Sequence, residues 1–235
     1  MLPLRDNVPA SRFPAVTLGI IIVNVLVFFR ELGNRSNLEE LIYTFAIVPA
    51  RYTYPEYASR IGVPGQIVPI FTSMFLHGGW LHLLGNMWTL WIFGDNVEDR
   101  LGKLRYLIFY LSGGVAAAIL HIMTNAHGQA ALVPTIGASG AIAAVMGAYF
   151  RFYPTARVET LIPPFFFGPT FALPAVLFLG WWFLLQFFNG AMSLGMRDHG
   201  FSGVAWWAHV GGFLFGFGIC LFAARPKVPP RFIDI

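Results

Sequence analysis

The sequence predicts an all-α membrane protein that crosses the bilayer as a bundle of six helices. Of its 235 residues, 57% are hydrophobic and 11% are charged, whereas an ordinary soluble domain carries about 25% charged residues. The mean hydropathy is +0.65, and the apolar residues are gathered into six stretches. So little polar surface excludes a single water-soluble globule, and the composition equally excludes a disordered chain or a coiled coil.

The six apolar stretches are the predicted transmembrane segments of one domain that covers residues 1–235. A hydrocarbon core of about 30 Å needs about 20 apolar residues in a helix. The predicted segments are residues 15–29, 81–93, 106–123, 139–152, 171–188 and 204–223. Several are shorter than about 20 residues, so we expect protein rather than lipid around their ends. The first segment lacks a small-x-small cleavage site, which indicates an uncleaved anchor.

The basic residues predict the orientation. With six spans, ten of the 15 Lys and Arg residues fall on the side of both termini. The positive-inside rule therefore predicts cytoplasmic termini, and the compact plan suggests a bacterial inner membrane. The lipid bilayer is thus an expected partner. The net charge of +4 does not indicate a nucleic-acid partner, because the basic residues flank apolar segments. The long connection over residues 30–79 is expected to lie on the membrane surface.

Ionisable and polar side chains at membrane depth are usually functional, and the first such pair is in the second segment. His82 and Asn86 are four residues apart, so they share one helix face, and both can donate hydrogen bonds. They fit a polar pair that joins helices. They also fit part of a metal site, although that helix offers no third ligand.

Ser139 stands at the start of the fourth segment, between Gly137 and Gly140. A serine in this position can simply cap the helix. The glycines also allow other groups to approach closely, and the helix N-terminus offers free N–H groups with positive partial charge. These are the components needed to stabilise an oxyanion beside a nucleophilic hydroxyl.

His209 lies in the otherwise apolar sixth segment, with Gly212 and Gly216 on the same helix face. Small residues spaced in this way permit close helix packing, so the pattern fits either a packing motif or a functional base. The fourth segment carries its own stripe of small residues, namely Gly140, Ala143, Ala144 and Gly147. If the two stripes pack together, His209 comes within reach of Ser139.

Together these patterns resemble the rhomboid family of intramembrane serine proteases. His82-x-x-x-Asn86 matches the family's second-helix motif, and residues 137–140 match its GxSG nucleophile motif. Residues 203–209, with the two glycines that follow, match its last-helix histidine motif, and His-Gly-Gly-Trp at 77–80 fits the bacterial branch. GxSG alone is a weak signal, but three motifs in order in three separate segments are a specific one.

The resemblance implies a serine endopeptidase that cuts transmembrane segments of other membrane proteins and needs no metal or organic cofactor. Ser139 and His209 would form a catalytic dyad, with His82, Asn86 and the Ser139 backbone N–H as the oxyanion hole. The cavity would open outward beneath a loop that contains Gly195, Gly200 and Gly203. The substrate would enter beside the fifth helix, which carries Trp181, Trp182, Phe187 and Phe188.

The sequence departs from many family members at two places. Val68-Pro69 stands where they carry a Trp-Arg pair in the first loop. Ala143 stands where some of them place an aromatic ring against the histidine, so His209 must be oriented by another group.

Other polar residues are compatible with more than one role. Asp198 is a candidate third member of a triad, although a dyad is favoured. Gln186 and Asn189, near the end of the fifth segment, fit either the cavity wall or the water boundary.

Two other functions stay open on the sequence alone. A catalytically silent rhomboid-like scaffold would bind client helices, although the presence of both Ser139 and His209 argues against it. A metal or haem protein would instead use the histidines His77, His82, His121 and His209.

Overall fold

The computed structural model describes residues 1–161, 170–195 and 204–222, and these are mainly helical. The helices are α1 (Ala15–Gly33), α2 (Leu38–Phe45), α3 (Ala50–Thr53), α4 (Pro55–Thr72), α5 (Trp80–Leu101), α6 (Lys103–Thr124), α7 (Ser139–Phe152), α8 (Ala175–Gly195) and α9 (Trp206–Leu221). Short 3-10 turns cover Arg35–Asn37, Ser73–Phe75 and Gln129–Leu132. The strands are β1 (Leu2–Asp6), β2 (Arg157–Leu161) and β3 (Phe171–Pro174).

Helices α1 and α5–α9 occupy the segments that hydropathy selects. By length and composition, α1, α6 and Ala175–Leu194 of α8 could each cross a membrane. Pro55–Phe75 and Trp80–Leu101 also pass that test as a pair, bent by 81°, whereas α9 is apolar but shorter. The prediction of an all-α membrane bundle is confirmed, with a small sheet added at one end.

Helix α7 lies at the centre of the bundle, between α5, α6 and α9. Most of its 14 residues are buried, so the shortest of these helices has protein rather than lipid around it. The first connection folds into α2, α3 and α4, and α4 is broken at Gly62, where φ is +63°. Apolar side chains on α4 are exposed, namely Tyr57, Val63, Ile67, Val68 and Phe71.

Several boundaries differ from the hydropathy prediction, and two of the differences have a local cause. Residues 171–174 form β3, so α8 begins at Ala175 and not at residue 171. Helix α5 continues to Leu101 rather than ending at residue 93, although it then includes Asp95 and Glu98. Hydropathy misses this extension because Glu98 is charged. In the structure, however, only 3% of the Glu98 surface is exposed.

The antiparallel sheet, in the order β1-β2-β3, joins the chain start to the segment between α7 and α8. Its strands are short, and Val158 and Thr160 alternate inward on β2. Asp6 of β1 accepts a hydrogen bond from Tyr149 of α7. Burial raises the pKa of the Asp6 carboxyl to about 7. The sheet therefore ties the chain start to the central helix.

Glu98 of α5 caps the N-terminus of α1. The backbone N–H groups of Val16 and Thr17 donate to its two carboxylate oxygens at 3.0 and 2.8 Å. The first N–H groups of a helix have no partner within the helix, and Pro14 at the cap position provides no side-chain hydrogen bond. The buried charge is thus matched by N–H donors and by the positive end of the helix dipole.

We expect Glu98→Ala to lower the free energy of unfolding by about 2 kcal/mol, because two N–H donors, one of them buried, lose a charged acceptor. Thermal unfolding of the purified protein in detergent measures the change. Glu40→Ala, at an exposed carboxylate on α2, is the matched control and should stay within about 0.5 kcal/mol of the unsubstituted protein. Equal stability of the two variants would refute the capping role.

Candidate active site

Ser139 is the first residue of α7, and the backbone before it requires glycine at 137. Gly137 has φ +126°, in the region that favours glycine. A Cβ at this position would also lie 2.7 Å from Nε2 of His82. The Gly137 N–H donates to the Ser73 carbonyl at 2.8 Å. Both the backbone conformation and the space available therefore exclude a larger residue.

The loop that leads to Ser139 is attached to two other elements. Ile47, from the first connection, and Thr135 exchange backbone hydrogen bonds of 3.1 and 2.7 Å. His121 of α6 contacts the Thr135 hydroxyl through Nε2 at 2.8 Å. These contacts fix the loop on the side opposite to the sheet, where α7 and α9 both begin.

Helices α7 and α9 approach backbone to backbone through their small residues. A Cβ on Gly212 would overlap the carbonyl oxygen of Gly140, and one on Gly216 would overlap that of Ala144. A Cβ on Gly147 would overlap the carbonyl oxygen of Phe213. Side chains at these positions would therefore force the helices apart.

The close packing brings Ser139 and His209 together. The Oγ atom of Ser139 lies 2.8 Å from Nε2 of His209, and Nδ1 of the same ring lies 2.7 Å from Oε1 of Gln186 on α8. The Trp182 ring, one turn before Gln186, is centred 5.8 Å from the imidazole at an angle of 36°. A hydroxyl that contacts an imidazole, which in turn contacts a third group, is the arrangement of an activated nucleophile.

His82 and Asn86 of α5 face the same space. The Gly78 N–H donates to Nδ1 of His82 at 3.4 Å, so Nε2 carries the proton and is the donor that points toward Gly137. Nδ2 of Asn86 lies 3.0 Å from Nε2 of His77, and its second hydrogen remains available. Together with the N–H groups at the start of α7, these donors can surround a developing negative charge.

A cavity of about 350 Å³ contains these groups. Its lining comprises Gly78, His82, Asn86, His121, Val133, Pro134, Thr135, Ile136, Ser139, Val204, Ala205 and His209. Of the sequence-predicted residues, His82, Asn86, Ser139 and His209 thus line one cavity, and Gly137 and Gly140 line a smaller one that also includes Ser139. Gly195 is the last residue of α8, whereas Asp198, Gly200 and Gly203 fall outside the described residues.

The histidines that a metal or haem protein would use take part in hydrogen bonds with other groups of the protein. Within the part of the chain that the structure describes, no group of three or more His, Cys, Asp or Glu side chains could hold a metal ion. His77 contacts Asn86, His82 contacts Gly78, and His121 contacts Thr135. One ring nitrogen of each of these three histidines therefore contacts a protein group.

A second cavity of about 800 Å³ lies beside α8 and is almost entirely apolar. It is lined by residues of α1, α5, α7 and α8 and by Met1–Pro3, with Trp182 among them. The other aromatic residues singled out on this helix, Trp181, Phe187 and Phe188, are exposed. In the first connection, Val68 is exposed and Pro69 is buried, both within α4.

Two contacts of His209 were not assigned from the sequence. Ala143 offers no ring to the histidine, and α8 supplies Trp182 and Gln186 instead. The available signal was an amide in an apolar helix, because polar groups at membrane depth seldom lack a partner. The partner itself could not be deduced, since it lies 23 residues away along the chain.

The chain resembles known proteins over most of its length. A family model described as Rhomboid domain matches residues 64–226. Presenilin-associated rhomboid-like protein A, mitochondrial, of Danio rerio is 32% identical over 175 residues, which are 72% of this chain and 41% of that protein. The Homo sapiens protein named presenilin-associated rhomboid-like protein, mitochondrial, is 30% identical over 205 residues, which are 84% and 45%. Rhomboid protein 1, mitochondrial, of Saccharomyces cerevisiae is 30% identical over 98 residues.

These relatives correct the predicted location. The expectation of a bacterial inner membrane is wrong, because the relatives at 30–32% identity are named as mitochondrial proteins. Lys and Arg counts report which side of a membrane a loop faces, and they carry no information about which membrane it is. The chain also spans less than half the length of these relatives, with 41% and 45% of the first two covered.

The matched region contains every part of the site. His82, Asn86, Ser139 and His209 all fall within residues 64–226. That region includes more than half of the 235 residues, and the Homo sapiens relative aligns with 84% of the chain. The chain therefore belongs to the rhomboid family of membrane proteins.

Proposed function

We propose that this protein is an intramembrane serine endopeptidase whose nucleophile is Ser139 and whose base is His209. The observation that supports the proposal most strongly is the 2.8 Å contact between Ser139 Oγ and His209 Nε2 inside a cavity of a membrane bundle. A base within hydrogen-bond reach of a hydroxyl is the geometry that such catalysis requires. The names of the relatives favour a mitochondrial membrane as the place of action.

The first step transfers the Ser139 proton to Nε2 of His209 while Oγ attacks the carbonyl carbon of the scissile peptide. The negative charge on the carbonyl oxygen is stabilised by Nε2–H of His82, Nδ2–H of Asn86 and the Ser139 N–H. Each donor of this kind typically contributes about 3–4 kcal/mol in a serine hydrolase. The imidazolium then gives its proton to the leaving amine, and a water molecule later releases the acyl group by the same route.

The substrate class follows from the chemistry of a helix in lipid. Every N–H and C=O of a transmembrane helix is paired, so a segment must unwind before its carbonyl can meet Ser139. Beside Ser139 and Gly140 is a cavity of about 30 Å³, bounded by Met74, Ala117 and Ile47 among others. This space accepts only a small side chain.

We therefore expect cleavage of a single-span reporter protein that has alanine before the scissile bond and a glycine nearby. Phenylalanine in place of that alanine should reduce kcat/KM by about 100-fold or more, because a ring cannot enter so small a cavity. Purified protein and reporter in liposomes, with the fragments identified by mass spectrometry, provide the measurement. Equal cleavage of both reporters would contradict the proposed pocket, and binding without any cleavage would instead support the scaffold.

A further inference from the structure

The His209 ring has two nitrogen atoms, and only one of its two neutral forms suits a base for Ser139. Nε2 must be unprotonated to accept the serine proton, so the hydrogen must be on Nδ1. The tautomer of a histidine is set by the partner of its other nitrogen. That partner here is Oε1 of Gln186, at 2.7 Å.

The amide of Gln186 is oriented by its own helix. Its Nε2 donates to the carbonyl oxygen of Trp182 at 3.4 Å, and a carbonyl oxygen can only accept. Oε1 is therefore the amide atom that faces His209, and it too can only accept. Gln186 is 7% exposed, so water has little access to this contact.

We propose that Gln186 is a positioning residue for His209, because its side-chain oxygen accepts the Nδ1 hydrogen and leaves Nε2 free to take the Ser139 proton. Gln186 thus occupies the place that an aspartate has in a catalytic triad, with a dipole in place of a charge. The inference rests on the proposed function, since a tautomer matters only if His209 is the base.

The proposal also explains how the ring is oriented without an aromatic residue at 143. Gln186 and Trp182 are one turn apart on α8, so one helix face supplies both a hydrogen bond and a ring contact to His209. Trp182 lines the apolar cavity as well. A displacement of α8 would therefore separate both Gln186 and Trp182 from His209.

The first test measures the tautomer directly. In protein labelled with ¹⁵N at histidine, held in detergent at pH 8, the His209 ring should show a protonated Nδ1 and an unprotonated Nε2. His209→Ala identifies the signals among those of the six histidines. A His209 ring protonated at Nε2 would overturn the proposal, and this measurement needs no substitution at Gln186.

The second test follows the rate at which a fluorophosphonate probe labels Ser139. Gln186→Leu should lower that rate about tenfold, the effect of losing one hydrogen bond, and give a mixture of His209 tautomers. Gln186→Glu keeps the acceptor and should retain labelling. Its carboxylate favours the imidazolium, so the acidic limb of the pH profile should move to higher pH. His82 and His121, which line the same cavity, are unchanged in each variant.

Asn189→Leu is the matched control, because Asn189 is an amide one turn further along α8 whose Nδ2 donates to the Leu185 carbonyl. It should label at the rate of the unsubstituted protein. Labelling of Gln186→Leu at that same rate, with a single tautomer, would overturn the proposed role while leaving the protease intact. Failure of the unsubstituted protein to label at all would instead count against the proposed function.

Discussion

Ser139→Ala should abolish cleavage of a transmembrane reporter and leave the fold unchanged. The hydroxyl contributes a nucleophile and a single hydrogen bond to His209, and alanine suits the first turn of a helix. We expect kcat/KM to fall by at least about 10⁴-fold, since a serine hydrolase without its nucleophile retains only the contribution of binding and the oxyanion hole. Cleavage in liposomes and thermal unfolding in detergent measure the two effects on the same preparation.

His209→Ala should lose activity to a similar extent, because nucleophile and base act as one unit and their effects do not add. Ser59→Ala, at an exposed serine of α4 whose hydroxyl donates to the Glu56 backbone carbonyl at 3.2 Å, is the control and should cleave normally. Cleavage by Ser139→Ala at the rate of the control would end the assignment of Ser139 as nucleophile.

The second large effect is expected from Gly212→Ala. The added methyl group would overlap the carbonyl oxygen of Gly140 and lie 3.2 Å from the Ala143 Cβ, so α7 and α9 must separate. Overpacking of this kind typically costs about 1–3 kcal/mol of stability. A displacement of about 1 Å between reacting groups can also cost 10²-fold in rate. We expect both losses, measured by unfolding and by reporter cleavage.

A second glycine of α9 provides the control, because the same substitution to alanine can be made there. Among the residues that the structure describes, no atom lies within 4 Å of a Cβ on Gly218, and alanine is the better helix former by about 1 kcal/mol. Gly218→Ala should therefore cleave normally and be at least as stable as the unsubstituted protein. If Gly212→Ala matched it in both measurements, close approach of α7 and α9 would not be what brings His209 to Ser139.

Much of the site follows from the sequence because its parts are local. A glycine-flanked serine at a helix start and two small-residue stripes are readable within one or two turns. They lead directly to the packing of α7 on α9 that the structure contains. His82 and Asn86 could be placed on one face of α5 for the same reason. The catalytic roles of these residues stay predictions until they are tested.

The remaining features depend on contacts between distant residues. Glu98 reads as the end of a hydrophobic segment, yet it is buried because it caps α1 some 81 residues earlier. Strand β3 could not be separated from α8 because residues 171–173 are as apolar as the helix that follows them, and hydropathy does not distinguish the two. Gln186 could be noticed as a polar residue in an apolar helix, but its partner His209 could be identified only in three dimensions.

The central claim is that Ser139 is a nucleophile activated by His209 within the membrane bundle. The most direct measurement is mass spectrometry of the purified protein after reaction with a fluorophosphonate, which attaches covalently to an activated serine. The structure predicts one adduct, on Ser139, that is lost in His209→Ala. No adduct, an adduct on another residue, or undiminished labelling of His209→Ala would contradict the claim.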